Sequence, residues 1–362
     1  MKLDSLAQRL EQIPLVGALT LATLLPLIDA VGGLLGGFHI PGSSAYVQQL
    51  TLWLAFVGGL VATREVKHLT LSTAELLGDG VARRVARVFA CSVAAATVAV
   101  LAYGSIAVVA VNRQSGKLLP IGLPEWVSEC IMPVAFALMA ARFAWQASPR
   151  WRGRVIAMAT VAGGFALSLL PAEAVAHVWP LALAVIAGAL LGAPVFVAMG
   201  GLALILFFRD LTPVSAVPAE IYRLMYSPTL PAIPLLTACG YVLAESQASA
   251  RLVRLFRALF GWMPGGIAVM VAAVCALFTT FTGGSGVTII ALGGLVYPIL
   301  RKDGYSEGFS LGLVTASGSL GLLFPPSLPV IIYSVVASSR NMSVPADSLY
   351  LAGLVPGLLL VV

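Results

Sequence analysis

Residues 278–288 read Phe-Thr-Thr-Phe-Thr-Gly-Gly-Ser-Gly-Val-Thr, in the middle of an otherwise apolar stretch from Met263 to Leu300. The centre, Thr282-Gly283-Gly284-Ser285-Gly286, splits that stretch into two apolar arms, Ile267 to Phe281 and Val287 to Leu300. As helices the arms reach only about 22 Å at 1.5 Å per residue, short of the ~30 Å hydrocarbon core of a bilayer. Basic residues flank both ends: Arg251, Arg254 and Arg257 on one side, Arg301 and Lys302 on the other. Because Lys and Arg gather in cytoplasmic loops, both ends are expected in the cytoplasm. The economical structure is a re-entrant helical hairpin whose tip stops inside the membrane; the alternative is an ordinary extracellular turn between two short spans. Glycines at such a tip permit positive φ and leave backbone groups uncovered. At membrane depth that is tolerable only where they line a cavity or bind something.

The segment that follows, Phe309 to Val336, is interrupted in the same way, by Ser317-Gly318-Ser319-Leu320-Gly321 and then Phe324-Pro325-Pro326-Ser327-Leu328-Pro329. Two consecutive prolines remove two N–H donors and push the preceding residues out of the α region, which frees carbonyls near mid-span. Freed carbonyls are hard oxygen ligands. Discontinuous helices that bring carbonyls and helix termini to the midplane are how secondary transporters hold Na⁺ and anionic substrate groups. A proline kink used only for packing is the bland alternative, and two interrupted segments in succession argue against it.

Working outward, 59% of the 362 residues are hydrophobic and 10% are charged, against roughly 25% charged in a soluble domain. The bilayer is therefore the solvent. The net charge of +6 lies in short clusters between apolar runs, so it orients helices rather than binding nucleic acid. Five runs in the first half have spanning length: Ile13 to Phe38, Ala45 to Thr63, Val88 to Val111, Trp126 to Trp145 and the shorter Val155 to Leu170. The first is too long for a signal-peptide core and is expected to be a retained helix. Alternation places eleven basic residues on one side (Lys2, Arg9, Arg64, Lys67, Arg83, Arg84, Arg87, Arg142, Arg150, Arg152, Arg154) and two, Arg113 and Lys117, on the other. The N-terminus is thus expected inside and residues 172–178 outside.

The run Ala147 to Arg154 combines a helix breaker with basic residues and marks a boundary between two units. Ser72-Thr73-Ala74-Glu75 has the capping-box pattern of a short surface helix. Ala174 to Phe208, with Gly192-Ala193-Pro194 inside it, is either two short helices or one broken helix. Ala250 to Phe260 carries Arg251, Arg254 and Arg257 among apolar residues, the spacing of a basic amphipathic helix in the interface. Cys91, Cys130, Cys239 and Cys275 lie far apart in apolar runs and suggest neither disulfides nor a zinc site.

The motif 278–288, together with Gly304-Tyr305, Ser317 to Ser327, Gly265 to Val269 and Ala352 to Gly357, resembles the large membrane subunit of the tripartite ATP-independent periplasmic (TRAP) transporters. Residues 178–362 resemble the first half of that subunit, and residues 1–150 its four-helix small partner, less specifically, around Trp53, Arg64, Glu65 and His68. Residues 151–177 would be the linker and connecting helix. The resemblance implies an all-α polytopic membrane protein of the bacterial inner membrane with elevator-type architecture. It implies Na⁺-coupled uptake of small organic acids (carboxylates) that a periplasmic substrate-binding protein delivers. Carried over residue by residue, it assigns a Na⁺ site to Thr282, Gly283, Gly284, Ser285, Gly286, Ser317, Gly318, Ser319, Gly321, Pro325 and Pro326, largely through backbone oxygens. Ser285, Thr288 and Ser327 would face the substrate. Many relatives have a more serine-rich tip, which favours backbone over side-chain ligation here. The family's large subunit has a second inverted half, whereas this sequence stops at Val362 inside an apolar run, so a longer natural chain is expected.

Other polar groups have simpler readings. Asp29 and Glu129 lie in apolar runs, where a carboxylate is a functional candidate by default, but interface or helix packing is the simpler reading of both. His39, His68 and His177 lie at segment edges without metal-ligand spacing. An intramembrane serine hydrolase built on Ser285 would need a base within hydrogen-bond reach, and no His lies in a segment that meets the tip. A channel on the same hairpin is the third reading, and interrupted helices suit an alternating site better than an open pore.

Overall fold

The computed structural model describes residues 2–71, 78, 80–120, 122–169, 178–227, 229–338 and 344–361. The capping-box stretch Ser72 to Glu75, His177 and residues 172–177 lie outside them. Among the described residues every named element is helical. The chain divides into two compact units, Met1–Tyr226 and Ser227–Val362.

The first unit begins with α1 (Lys2–Gly36), α2 (Ser43–Glu65), α3 (Val81–Ser115), α4 (Glu125–Glu129), α5 (Ile131–Gln146) and α6 (Trp151–Leu169). These correspond to the five expected spans, with α4 and α5 together forming the fourth. Arg9–Gly36, Ser43–Glu65, Val81–Ser115 and Glu125–Gln146 are long and apolar enough to cross a membrane. The core is made where α2, α3 and α5 meet, through Leu52, Phe56, Val98, Leu101, Met132 and Phe136. Phe56 and Phe136 pack edge to face with centroids 5.0 Å apart.

Polar contacts mark the two ends of this bundle. At one end Glu11 accepts from Arg64 Nη1 at 2.7 Å and pairs with Arg142, whose other nitrogen donates to the Leu60 carbonyl at 2.7 Å. Gln146 donates to the Thr63 carbonyl at 2.8 Å. The start of α1 and the ends of α2 and α5 are therefore neighbours, as the alternation of basic residues requires. At the other end Glu129 accepts from the Asn112 amide at 2.9 and 3.0 Å. Asp29 pins the turn after α1 by accepting from the Ile40 N–H at 2.8 Å.

The ambiguous stretch 174–208 contains two short helices, α7 (Trp179–Leu190) and α8 (Val195–Arg209), followed by α9 (Ala216–Met225). Gly192 supplies the positive φ (+106°) between α7 and α8. A Cβ on Gly201 would lie 3.1 Å from Val185, so the two helices fold back on each other. Packing joins α7, α8 and α9 to α3, so the compact units divide at Tyr226, well beyond the basic linker 147–154.

The second unit contains α10 (Ala232–Glu245), α11 (Ala248–Phe260), α12 (Gly266–Thr282), α13 (Ser285–Lys302), α14 (Glu307–Leu320), α15 (Leu328–Ser338) and α16 (Ala346–Val361). Pro231 and Pro234 do not break α10, because they fall before it and in its first turn, where N–H groups have no helical partner. On α11, Arg251, Arg254 and Arg257 are exposed while Val253 is buried, the expected amphipathic arrangement. α12 and α13 form a hairpin, and its core runs from Ile267, Val271 and Phe278 to Leu292, Val296 and Leu300, with Val314 of α14 against it. The arms are longer than the sequence suggested. Helical backbone continues through Thr282 and resumes at Ser285, leaving only Gly283 and Gly284 outside regular structure, so each arm spans about 26 Å.

Candidate functional site

The tip turns because Gly283 can take a left-handed conformation. Its φ is +67°, and its N–H closes α12 by donating to the Thr279 carbonyl at 2.8 Å. Gly284 is extended and leads into α13. Three threonines hold the tip together. Thr279 Oγ1 lies 2.8 Å from both the Cys275 carbonyl and Thr288 Oγ1, and Thr288 Oγ1 lies 2.9 Å from Thr282 Oγ1. Thr279 donates to Thr288, and Thr288 to the Gly284 carbonyl at 3.4 Å, with Thr282 at hydrogen-bond distance from Thr288. Such a chain polarises in one direction and fixes the two arms against each other.

The interrupted helix meets this tip. α14 ends in a 3-10 turn, Gly321–Leu323, and the chain then bends by 40° into α15. A Cβ on Gly318 would lie 3.3 Å from the Ser285 carbonyl oxygen; on Gly321 it would lie 2.2 Å from the Ala276 carbonyl oxygen. A Cβ on Gly283 would lie 2.2 Å from the side chain of Leu328, the first residue of α15. Glycine at these positions lets α14 and α15 touch the hairpin directly. Four helix ends converge as a result: the carbonyl ends of α12 and α14, which favour a cation, and the N–H ends of α13 and α15, which favour an anion.

Two side chains at the break are short of partners. Ser317 and Ser327 are each 1% exposed, and neither hydroxyl has a hydrogen-bond partner. A buried hydroxyl left unpaired costs about 1–3 kcal/mol, so these two oxygens call for a ligand. The Ser327 carbonyl is already taken, accepting from Tyr350 Oη at 3.2 Å. Residues 266–302 contain no carboxylate and end at Asp303, and Glu307 only opens α14. Neutral oxygens without carboxylates suit a monovalent cation better than Ca²⁺ or Mg²⁺, which draw on acidic ligands. Among the described residues no group of three or more His, Cys, Asp or Glu is placed to hold a metal. The residues present therefore fit Na⁺.

The remaining sequence-derived positions fall into distinct environments. Thr282, Ser317, Gly318 and Gly321 are buried; Gly283, Gly284, Ser285 and Pro326 are half-buried. Gly286, Ser319 and Pro325 are exposed, and the Ser319 hydroxyl donates to its own helix at the Ala316 carbonyl, 2.7 Å away. Thr288 is fully enclosed and occupied by the threonine chain. The structure adds Thr279, which shares a helix face with Thr282, and Gly240 of α10. A Cβ on Gly240 would sit 2.8 Å from the Thr282 backbone. Thr279 lies within the motif 278–288, whereas nothing local distinguishes Gly240. No His occurs in residues 227–362, so the second unit supplies Ser285 with no imidazole base.

A hairpin tip and a broken helix meeting end to end in an apolar bundle define a multi-pass helical membrane protein with a buried polar site. Comparison with known proteins gives the family. Residues 23–153 match the family described as "Tripartite ATP-independent periplasmic transporters, DctQ component", and residues 182–362 match its DctM component. The chain belongs to the TRAP transporter family, with small and large membrane components fused. Similar proteins include the ectoine TRAP transporter large permease protein TeaC of Halomonas elongata, 31% identical over 48% of this chain and 40% of that protein. The C4-dicarboxylate TRAP transporter large permease protein DctM of Rhodobacter capsulatus is 30% identical over 47% of this chain and 41% of its own length. The isethionate TRAP transporter permease protein DctMQ of Oleidesulfovibrio alaskensis is 30% identical over 66% of this chain and 37% of its own length. This chain thus spans about two fifths of the length of these curated relatives.

Proposed function

We propose that this chain is membrane machinery for Na⁺-driven secondary uptake of small organic acids delivered by a periplasmic substrate-binding protein. The observation that carries the reading is the pair of unpaired, buried hydroxyls of Ser317 and Ser327 where four helix ends converge. In this proposal Na⁺ is held by the Ser317 hydroxyl and backbone oxygens at Thr282 to Gly286 and Ser317 to Gly321. The helix N-termini at Ser285 and Ser327 orient the substrate carboxylate. Thr288 serves by fixing the tip. The C4-dicarboxylate relatives support the substrate class. Residues 1–150 are the small-component part, 151–177 the connector and 178–362 the large-component part. The hairpin-bearing body carries the site in an elevator-type movement, and the basic ends of the helices, with the N-terminus, face the cytoplasm of an inner membrane.

The ion assignment predicts an uncommon combination of effects. Ser317→Ala removes a hydroxyl whose burial is unfavourable without a ligand, so the Na⁺-free protein should melt at the same or a higher temperature. In the complete transporter with saturating binding protein, the same substitution should raise the Na⁺ concentration for half-maximal uptake. A lost ligand of roughly 0.5–1.5 kcal/mol corresponds to as much as about tenfold. Ser319→Ala should change neither property. Unchanged Na⁺ dependence in both Ser317→Ala and Ser327→Ala would remove the ion from this junction.

The orientation is tested separately. Trp262 and Asp303 are exposed just outside the two arms of the hairpin. Single cysteines at these positions should be blocked in intact cells only by reagents that cross the membrane. Labelling of either from the periplasm defeats the re-entrant arrangement.

A further inference from the structure

In the first unit a cavity of about 400 Å³ opens between α3, α6, α7 and α8. It is lined almost entirely by apolar side chains, and it exists because small residues face it. A Cβ built on Gly163 of α6 would meet no atom within 4 Å. On α3 the lining runs from Phe89 to Val100, about 16 Å at 1.5 Å per residue. That is roughly half of a ~30 Å hydrocarbon core, the depth of one leaflet.

One polar atom in the wall has no partner. Ser92 is 3% exposed, and its hydroxyl makes no hydrogen bond, although its carbonyl accepts from Thr160 Oγ1 at 3.3 Å. Ser92 lies at the end of the cavity toward which α3 begins with Arg84 and Arg87 and α6 begins with Arg152, all exposed. From the apolar, leaflet-deep shape, the unpaired donor and the positive charge beyond it, we infer that this cavity is a binding site for one acyl chain of a membrane phospholipid. The ester carbonyl accepts the Ser92 proton, and the phosphate lies among the arginines. The chain fills space that would otherwise separate α6 from α7 and α8.

Native mass spectrometry of the full chain released from detergent tests this. Wild type should retain one adduct of phospholipid mass. Gly163→Leu and Ala184→Phe, which grow into the cavity, should lose it while eluting as wild type and keeping its helical circular dichroism. Ser92→Ala should lower the occupancy at equal collision energy. If one filling variant aggregates, the other and Ser92→Ala decide between the outcomes. No adduct on wild type, an adduct of fatty-acid mass, or one that survives all three substitutions overturns the proposal.

Discussion

A Gly321→Val protein is expected to lose most of its uptake and to melt at a clearly lower temperature than wild type. The added Cβ would lie 2.2 Å from the Ala276 carbonyl oxygen, 2.6 Å from Thr279 Cβ and 3.0 Å from the Thr280 nitrogen. Two of the three are backbone atoms, which no rotamer change can move aside. Overpacking of a core costs roughly 1–3 kcal/mol, and the upper end applies where helix backbone must shift. Gly286, in the same glycine-rich run as the tip, is the control: a Cβ there meets nothing within 4 Å. Gly286→Ala should leave melting unchanged or raise it, since alanine favours helix by about 1 kcal/mol. Wild-type melting and uptake in Gly321→Val would show that α14 does not rest on α12 as described.

Replacing Glu11 by leucine should produce the second large loss, this time in the first unit. Its carboxylate is the shared partner of Arg64 and Arg142, with side-chain exposures of 12%, 18% and 23%. Without it, Arg142 loses its carboxylate and Arg64 keeps only the longer pair to Glu65 at 3.4 Å. Breaking a buried pair costs roughly 3–5 kcal/mol, and the lower end applies because these groups keep some contact with water. Arg142→Leu should also destabilise, and the double variant should be less affected than the sum of the two. Strict additivity in a thermal-shift cycle would mean that the ion pair is not what joins α1 to α2 and α5.

The sequence made the spans legible because apolar runs of bilayer length have few alternatives. It also located the tip and the break, since Gly283-Gly284 and Pro325-Pro326 act on the backbone locally. What it could not distinguish was which hydroxyl turns inward. Ser317 and Ser319 look alike in the sequence, yet two residues on a helix point to nearly opposite sides, and only Ser317 is enclosed. The close approaches of Gly240 and Gly321 to α12 arise from tertiary packing, which no local pattern records. Glycine and threonine favour turns by local preference, so the sequence understates the arms, whereas Thr282, Ser285 and Gly286 belong to helices. The choice between two helices and one broken helix at 174–208 likewise depended on what α3 offered them to pack against.

Gln49, Glu125 and Ser128 fall in the part matched by the small component, and Tyr222 falls in the part matched by the large one. Ser128 donates to Gln49 at 2.8 Å, and Tyr222 Oη donates to Glu125 at 2.7 Å. The seam between the two components thus sets a polar contact, Tyr222 to Glu125, beside the apolar packing of Val197, Leu204 and Val217 with Val98 and Leu101. As separate chains, partners meeting through such a seam would have to outweigh the loss of translational freedom on every encounter. Joined in one polypeptide, they meet at an effective concentration on the order of millimolar. The seam then needs little affinity of its own, subunit ratio is fixed at one to one, and its residues are free to change without loss of assembly.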